Sequence, residues 1–522
     1  MKLNYKRTIL VGFAFFLINA FWQAYDATIA LTLTNKFGMS QTWSGVIMAL
    51  DNILALFMLP LFGFLSDKHK SKTGRRTPFI RFGTLVAAIA FIVLSFADGF
   101  QLHQLGAVAT VDDQAALVTL YESQEGNILA TPEGKKFILG ADENENTVDI
   151  SKEAFIQIRS TLPGSKDADP DYTDYVVPTR LAYAAEITAQ NPGPLILFVS
   201  ILMVLLVAMA TFRSPAVALM PDVTIKPLRS KANAIINLMG TAGGILILVL
   251  GLVFGTSSAK NSLMNYTLFF TVVSGVMLLA LFIFLRTVKE PQWAAEMQEE
   301  SMRLGVDDKQ EEEQKGEKRK LSRAEVRSLI LILLSVALWY FGYNAITSKY
   351  SVYAPNVLLK NYNTTMLIAQ GAAIVAYLPA GFVASKIGRR KTILAGVVML
   401  GVSFGAAAMM DASSPDWLMN VMFALAGIAW ATINVNSFPM VVELSSGSDV
   451  GKYTGFYYTA SMAAQTVTPM LSGYLMDQMG MTVLFPYATV FVALAFVTMF
   501  FVRHGDAKAA PTKSLEALDI DG

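Results

Sequence analysis

The sequence predicts an all-α membrane protein with twelve transmembrane helices in two pseudo-symmetric six-helix halves and a small extracellular insert domain. Three observations carry this prediction. The 522 residues are 54% hydrophobic and 16% charged, whereas soluble proteins carry about 25% charged residues. Apolar runs long enough to cross a bilayer recur along the chain. A basic element at 63–80, GFLSDKHKSKTGRRTPFI, returns in shorter form at 381–391 as GFVASKIGRRK, which indicates a duplication.

Each apolar run supplies about 20 residues at a rise of about 1.5 Å, which is enough to span the hydrocarbon core. Basic residues beside these runs, such as Lys68, are costly to move across a bilayer and predict cytoplasmic loops. This pattern predicts a multi-pass protein of the cell membrane with both termini in the cytoplasm. The predicted spans are roughly 8–34, 42–66, 78–97, 194–219, 230–255, 264–286, 325–350, 363–385, 389–410, 415–440, 451–476 and 482–502.

Three polar regions lie outside the spans. Residues 98–193 contain short alternating runs with turn signals, which predict a partly β extracellular insert between the third and fourth spans. Residues 288–323 contain the run QEEEQKGEKRK and are predicted to be a solvated cytoplasmic linker between the halves. Residues 504–522 are predicted to be a cytoplasmic tail. The membrane-spanning parts are therefore 1–97, 194–287 and 324–503.

A second landmark is shared by the two halves. The fourth span ends with Pro221 and Asp222, and the tenth ends with Pro439 and Glu443. In each half a loop and a span that begins near a lysine follow the acid. Two matched landmarks at matched places support a true internal repeat.

The loop between the second and third spans resembles the signature loop of the major facilitator superfamily, because GFLSDK at 63–68 is followed by Gly-Arg-Arg at 74–76. Its longer spacing, with Ser66 before the acid and Pro-Phe-Ile at 78–80, is similar to that of the sucrose:proton symporters. Those proteins are related to the glycoside–pentoside–hexuronide:cation symporters. The resemblance implies a transporter whose substrate site lies near the midplane, between the halves.

The sequence departs from these families at residues that couple ions. Melibiose-type members carry paired aspartates in the second span for sodium, and the matching positions here are Ala55 and Leu59. Plant sucrose symporters use an acid within the fourth span, where this chain has none before Asp222. In the second copy of the loop, Ser385 stands in place of an aspartate. The resemblance therefore favours a proton over sodium as the coupled ion. The identity of that ion stays open.

Asp26 is the sharpest candidate for chemistry. Asn19, Gln23 and Asp26 are spaced i, i+4 and i+7 in the first span, so they share one helix face. A carboxylate inside a membrane costs roughly 3 kcal/mol, which favours a functional role over an interhelix contact. We expect Asp26 to carry a proton and to accept a sugar hydroxyl. Asp51, beside Asn52, lies at a similar depth and is predicted to share the proton, or else to make a helix-end contact.

Aromatic and amide residues recur at helical spacing in the second half. Sugars need an apolar ring face for stacking and amide or carboxylate partners for their hydroxyls. The alternative is ordinary packing, since polar residues also line helix interfaces in membranes. With the first-half residues Asn19, Gln23, Asp26 and Asn52, the predicted substrate contacts are Trp339, Tyr343, Asn344, Trp430, Asn434, Tyr458 and Gln465.

A further set of charged residues is predicted to control opening and closing rather than to bind substrate. The alternative for the loop residues is topology alone, with basic charge kept on the cytoplasmic side. For Arg213 the alternatives are pairing with an acid in the cavity and snorkelling to the interface. The predicted gating residues are Asp67, Arg75, Arg76, Arg213, Asp222, Arg389, Arg390 and Glu443.

The sequence contains no cysteine and three histidines, which argues against disulfides, thiol catalysis and metal sites. It has no Walker-type loop for ATP, and no cofactor or nucleic-acid partner is expected. The prediction is a monomeric proton symporter that imports a sugar, most simply a disaccharide such as sucrose or maltose. Two alternatives remain: a facilitator or exporter of a non-sugar molecule, and a non-transporting sensor that binds its ligand with the insert.

Overall fold

The computed structural model describes residues 3–140, 148–165, 167–225, 228–304, 321–444 and 450–505, and these are almost entirely helical. Parts of the predicted linker, at 305–320, and of the predicted tail, at 506–522, lie outside the described residues. The helices are α1 (Tyr5–Asn35), α2 (Gln41–Lys68), α3 (Thr77–Leu105), α4 (Gln114–Gln124), α5 (Lys152–Phe155), α6 (Val177–Gln190), α7 (Gly193–Val223), α8 (Arg229–Phe254), α9 (Thr267–Thr287), α10 (Glu290–Arg303), α11 (Arg323–Tyr353), α12 (Tyr362–Ile387), α13 (Arg389–Ala407), α14 (Asp416–Val442), α15 (Val450–Met479) and α16 (Leu484–Phe500).

The predicted spans coincide with the long helices. In the described part of the chain, ten helices are long and apolar enough to cross a membrane. The long helices α12 and α15 are not among these ten, so the count of twelve spans stays a prediction.

Polar caps determine where several long helices begin. Asn4, Ser40 and Asn361 each accept a hydrogen bond from a backbone N–H three residues further along. Ser322 and Glu325 form a capping box at the start of α11. These caps satisfy backbone donors that the first helical turn leaves free, which matters because lipid offers no replacement.

Helix packing repeats between the halves. In the first half α1 packs on α8, α2 and α3 pack on α7, and α3 packs on α9. In the second half the equivalent pairs are α11 on α15, α12 and α13 on α14, and α13 on α16. Each half has its own apolar core. Across the interface α2 packs on α15 and α8 packs on α12, which are equivalent pairs under the same repeat.

The halves are joined mainly at one end of the bundle. Because successive long helices reverse direction, residues 3–5 and 500–505 lie at one end, here called the termini end, and the insert lies at the other, the insert end. Among the described residues, the hydrogen bonds between the halves lie in the insert-side part of the bundle. This arrangement is closed at the insert end.

The insert between α3 and α7 has a small core of its own. Strand β1 (Ile128–Ala130) pairs antiparallel with β2 (Lys136–Leu139), and β3 (Val148–Ile150) pairs parallel with β2. Phe137, Leu139 and Phe155 are buried between this sheet and the insert helices. The turn at 131–135 reaches the second half, where Pro132 O accepts a hydrogen bond from Met481 N at 2.7 Å. The insert therefore touches both halves.

The predicted linker begins with structure that its charge does not reveal. Helix α10 packs beside α7, and Trp293 on it is buried. Arg7 pairs with Glu296 at 2.5 Å, and the hydrogen bond from Arg7 lowers the pKa of Glu296. The sequence pattern suggests a solvated segment because α10 is polar overall. The contacts that order it come from α7 and α1, far away in the chain.

Candidate functional site between the two halves

A cavity of about 270 Å³ lies at the interface between the two halves. Ligand sites commonly measure about 300 Å³ or more, so this volume is close to that of a small-molecule site. Helices α1 and α8 line one side, and α11 to α14 line the other. The lining residues are Asn19, Trp22, Gln23, Asp26, Thr241, Gly244, Tyr343, Ile346, Thr347, Tyr362, Met366, Ala369, Gln370, Ala373, Tyr377, Phe404, Phe423, Ala426, Gly427 and Trp430.

Helix α1 presents to this cavity the polar face that its spacing predicts, because Asn19, Gln23 and Asp26 all line it. Gln23 Nε2 donates to the hydroxyl of Tyr362 at 3.2 Å. Gln23 Oε1 accepts from Gln370 Nε2 at 2.5 Å. These two bonds join α1 to α12 across the interface, so the amide of Gln23 connects the two halves.

Asp26 is half-buried and lines the cavity. Within the described part of the chain, its carboxylate has no hydrogen-bond or ion-pair partner. The negative charge of Asp51 acts on it from α2. A carboxylate in this position can accept a proton, or accept hydrogen bonds from ligand hydroxyls.

One wall of the cavity is aromatic. The rings of Tyr343 and Trp430 are stacked, with centroids 3.6 Å apart and planes 3° apart. Tyr340 contacts the edge of Trp430 at 5.2 Å, from outside the cavity lining. This stacking holds both rings in one orientation, so they present a rigid apolar surface next to the amides of α1 and α12.

Asp51 and Arg213 form a second polar group beside the cavity. Asn52 Nδ2 donates to Asp51 Oδ1 at 2.7 Å, and the guanidinium of Arg213 acts on Asp51 electrostatically. Arg213 lies 5.3 Å from the ring of Trp22, which lines the cavity. Tyr458, exposed on α15, is also in the electrostatic environment of Arg213. The charged group therefore adjoins the cavity without lining it.

Several predicted contacts lie away from the cavity. Trp339 is fully buried in the core of the second half. Asn344 Nδ2 donates to the carbonyl of Gln465 at 3.2 Å, and Gln465 Nε2 donates to that of Ser461, so both amides serve helix packing. Asn434 hydrogen-bonds to Tyr377, which does line the cavity. Asn52, bound to Asp51, does not line it either.

Seven of the eight predicted gating residues form two separate groups at the termini end, whereas Arg213 lies beside Asp51 and Trp22 near the cavity. Arg76 is buried and contacts Asp67, and its Nε donates to Asp222 at 2.8 Å. Arg75 pairs with the same Asp222 at 2.6 Å. This group ties the ends of α2, α3 and α7 together within the first half.

The equivalent group in the second half is smaller. Arg389 pairs with Glu443 at 2.7 Å. Arg390 Nη2 donates to the carbonyl of Phe500, so it ties α13 to the end of α16. The two groups occupy repeat-related places, and each bond described here stays within one half.

Two family models match separate parts of the chain. One described as Major Facilitator Superfamily matches residues 359–518, and one described as MFS/sugar transport protein matches residues 10–111. The chain belongs to the major facilitator superfamily. It is therefore a multi-pass membrane protein of that superfamily.

Relatives in the superfamily match over limited segments. The chain is 29% identical to the MFS-type transporter ppzB of Metarhizium majus over 141 residues, which are 27% of this chain and 30% of that relative. It is 32% identical to the sucrose transport protein SUC4 of Arabidopsis thaliana over 77 residues, 15% of each chain. The inward open conformation of the xylose transporter XylE from E. coli superposes with a TM-score of 0.60, covering 99% of this chain and 100% of that one at 14% identity. This last likeness shows the fold.

The superfamily fold brings residues into the cavity that helical spacing alone did not select. Trp22 lies on α1 between two predicted residues, and Thr241 lies on α8. Tyr362, Gln370 and Tyr377 lie on α12, each separated by about two turns from the next. That polar spacing within an apolar helix is the signal that would have indicated them.

The insert end carries a contact between the halves that sequence reasoning also missed. Asp477 accepts hydrogen bonds from the backbone N–H groups of Gln41 and Thr42 at 2.8 and 2.7 Å, so it caps α2 from the other half. The buried Lys349 donates to the carbonyl of Gln41 at 2.6 Å. Two residues of the second half thus hold the first turn of α2.

Proposed function

We propose that this transporter imports a sugar together with a proton by alternating access, with a disaccharide such as sucrose or maltose as its substrate. One observation carries the proposal: the cavity places an unpaired carboxylate, three amides and a stacked aromatic pair around one volume between the halves. More than half of its lining side chains can form hydrogen bonds. The family model for sugar transport and the similarity to a sucrose transport protein support the same substrate class.

The aromatic wall and the amides are proposed to contact different parts of a sugar. Trp430 lines the cavity, and its face that is not stacked on Tyr343 suits the apolar C–H face of a pyranose ring, as in other small-molecule sites. Asn19, Gln23 and Gln370 suit its hydroxyls, because each amide both donates and accepts. Gln23 and Gln370 come from different halves, so a bound sugar contacts the parts that must move against each other.

Asp26 is proposed as the proton carrier. A proton on Asp26 removes its repulsion with Asp51 and turns the carboxylate into a donor for a sugar oxygen. Loss of that proton restores the repulsion and weakens the sugar site. Loading of proton and sugar from the insert end, followed by release of both at the termini end, then gives symport.

The direction of transport follows from the orientation that the basic loops predict. The termini end carries Arg75, Arg76, Arg389 and Arg390, so it is proposed to face the cytoplasm, with the insert outside. The hydrogen bonds between the halves lie on the insert side, and the described conformation is then the one that releases substrate inward.

The test is sugar uptake by the full chain in proteoliposomes with an imposed pH gradient. The protein should accumulate a labelled disaccharide, and Asp26→Asn should abolish accumulation while sugar exchange between the two sides continues. Asp167→Asn, in the exposed insert, is the control and should accumulate sugar normally. Accumulation by Asp26→Asn driven by the pH gradient would disprove the proton role. Absence of any sugar flux in the unchanged protein would favour a non-sugar substrate or a sensor.

A further inference from the structure

A second polar pocket lies where the insert meets both halves of the bundle. Its volume is about 20 Å³. Arg180 on α6 of the insert lines it, with Ser262 from the α8–α9 connection and Asn356 from the segment after α11. The pocket is remote from the transport cavity, with which it shares no lining residue.

Arg180 is a buried cation without a counter-charge. Its exposed fraction is 2%, and among the described residues it pairs with no carboxylate. Nη1 donates to the hydroxyl of Tyr172 at 2.6 Å, whereas Nε and Nη2 have no partner in the part of the chain that the structure describes. A buried charge that lacks both a counter-charge and full hydrogen bonding is strongly unfavourable unless something else compensates it.

The rest of the pocket is suited to an anion and not to a cation. The hydroxyl of Ser262 is buried and has no partner within the described ranges, so a second donor in the lining is unsatisfied there. The neighbouring polar side chains Thr173, Asn35 and Asn356 already donate to backbone carbonyls, so Arg180 and Ser262 are the donors that the proposal uses. No aspartate or glutamate is among the lining residues. The nearby Lys36, on the ring of Tyr266, is already paired with Asp98.

We propose that Arg180 and Ser262 bind a monatomic anion, chloride under ordinary conditions. A pocket of about 20 Å³ has room for one particle of roughly the size of water, which favours a monatomic anion over sulfate, phosphate and carboxylate ligands. A halide accepts hydrogen bonds from several donors at once and supplies the missing negative charge. Because the walls come from the insert and both halves, a bound halide stabilises the arrangement that is closed at the insert end.

The test compares halides with a large anion on the purified full chain in detergent. Thermal unfolding is followed during titration with sodium chloride, sodium bromide or sodium gluconate, at constant pH and ionic strength. Chloride and bromide should raise the unfolding temperature by roughly 2 °C relative to gluconate. Arg180→Met should remove this halide-dependent rise, whereas Arg159→Met, an arginine of the insert outside the pocket, should retain it.

A second variant covers the case in which Arg180→Met does not fold. Ser262→Ala removes a donor from the pocket without touching the buried charge, and it should shift the bromide titration to higher concentration. Coincident chloride and gluconate titrations of the unchanged protein would overturn the proposal and leave a water-filled pocket. A halide effect of equal size in Arg180→Met and Arg159→Met would also overturn it.

Discussion

At the scale of single residues, the structure distinguishes side chains that line the cavity between the halves from side chains that only share their helical spacing. Tyr343, Trp339 and Tyr350 fall on one face of α11 by spacing, yet only Tyr343 lines the cavity. The other two are fully buried in the second-half core. A helix face meets different neighbours along its length, so depth decides the role of each ring.

Trp430 and Trp339 should therefore respond differently to substitution. Trp430→Ala removes the wall of the cavity and should weaken the apparent affinity for substrate roughly tenfold, about 1.4 kcal/mol. Trp339→Ala leaves a core void and should lower the unfolding temperature with little change in apparent affinity. Uptake kinetics and thermal unfolding measured on both variants distinguish these effects. Equal losses of affinity in the two variants would contradict the assignment.

The ion pair between Lys36 and Asp98 is buried on both sides, with side chains exposed by 0% and 1% and a separation of 2.6 Å. Asp98→Ala leaves the lysine charge uncompensated and should destabilise the protein by about 3–5 kcal/mol. The double variant Lys36→Met with Asp98→Leu removes both charges and should recover much of that loss. Thermal unfolding is the measurement. A double variant no more stable than Asp98→Ala would show that the charge itself is not the cause.

At the scale of elements, the signature loop is anchored by a residue that the sequence analysis left in the linker. Glu290, the first residue of α10, is 2% exposed. Its carboxylate accepts hydrogen bonds from the backbone N–H groups of residues 75–77 and from the hydroxyl of Thr77. It thus caps α3 from the segment that leads to the second half. Gly74 leaves room for it, since a Cβ there would meet the Glu290 carboxyl carbon at 2.3 Å.

Removing this cap should loosen the signature loop. Glu290→Ala leaves buried donors at the start of α3 unsatisfied and should cost roughly 2 kcal/mol in stability. Glu299→Ala, an exposed glutamate on the same helix, is the matched control and should be close to neutral. Thermal unfolding of both variants, with limited proteolysis at the loop, measures the effect. Equal stability of the two variants would mean that the cap does not stabilise α3.

Sequence patterns could predict elements better than they could predict the site. The apolar runs fix the long helices because membrane length and composition constrain them directly. The α1 stripe of Asn19, Gln23 and Asp26 was found because an acid within a membrane is rare. Gln370 was not selected, because a single amide in an apolar helix does not show which neighbour it faces. Glu290 was missed because its partners lie more than 200 positions away.

At the scale of the whole molecule, the halves are held together where the insert lies. Asp477 and Lys349 form hydrogen bonds with the first turn of α2. At the crossing of α2 and α15 the two helix backbones are in close contact. A Cβ at Gly45 would meet the carbonyl of Pro469 at 2.0 Å, so only glycine permits this crossing. Opening at the insert end requires all these contacts to separate.

A crosslink across this end should arrest the transport cycle. The chain has no native cysteine, so Glu133→Cys and Met481→Cys can be joined without background reaction. A short bis-methanethiosulfonate, which joins the two cysteines through disulfide bonds, should abolish uptake by the double variant, and reduction of those disulfides should restore it. Each single variant treated in the same way should keep its activity. Full uptake by the crosslinked protein would show that the insert end does not need to open.

The contact between the insert turn and the second half also has a kinetic consequence. While Pro132 stays bound to Met481, the turn lies over the end of the bundle that is proposed to receive substrate. On that proposal, a solute that diffuses to the protein is captured only during the intervals when the turn has lifted away. The frequency of those intervals sets an upper limit on the rate of solute capture, whatever the affinity of the cavity.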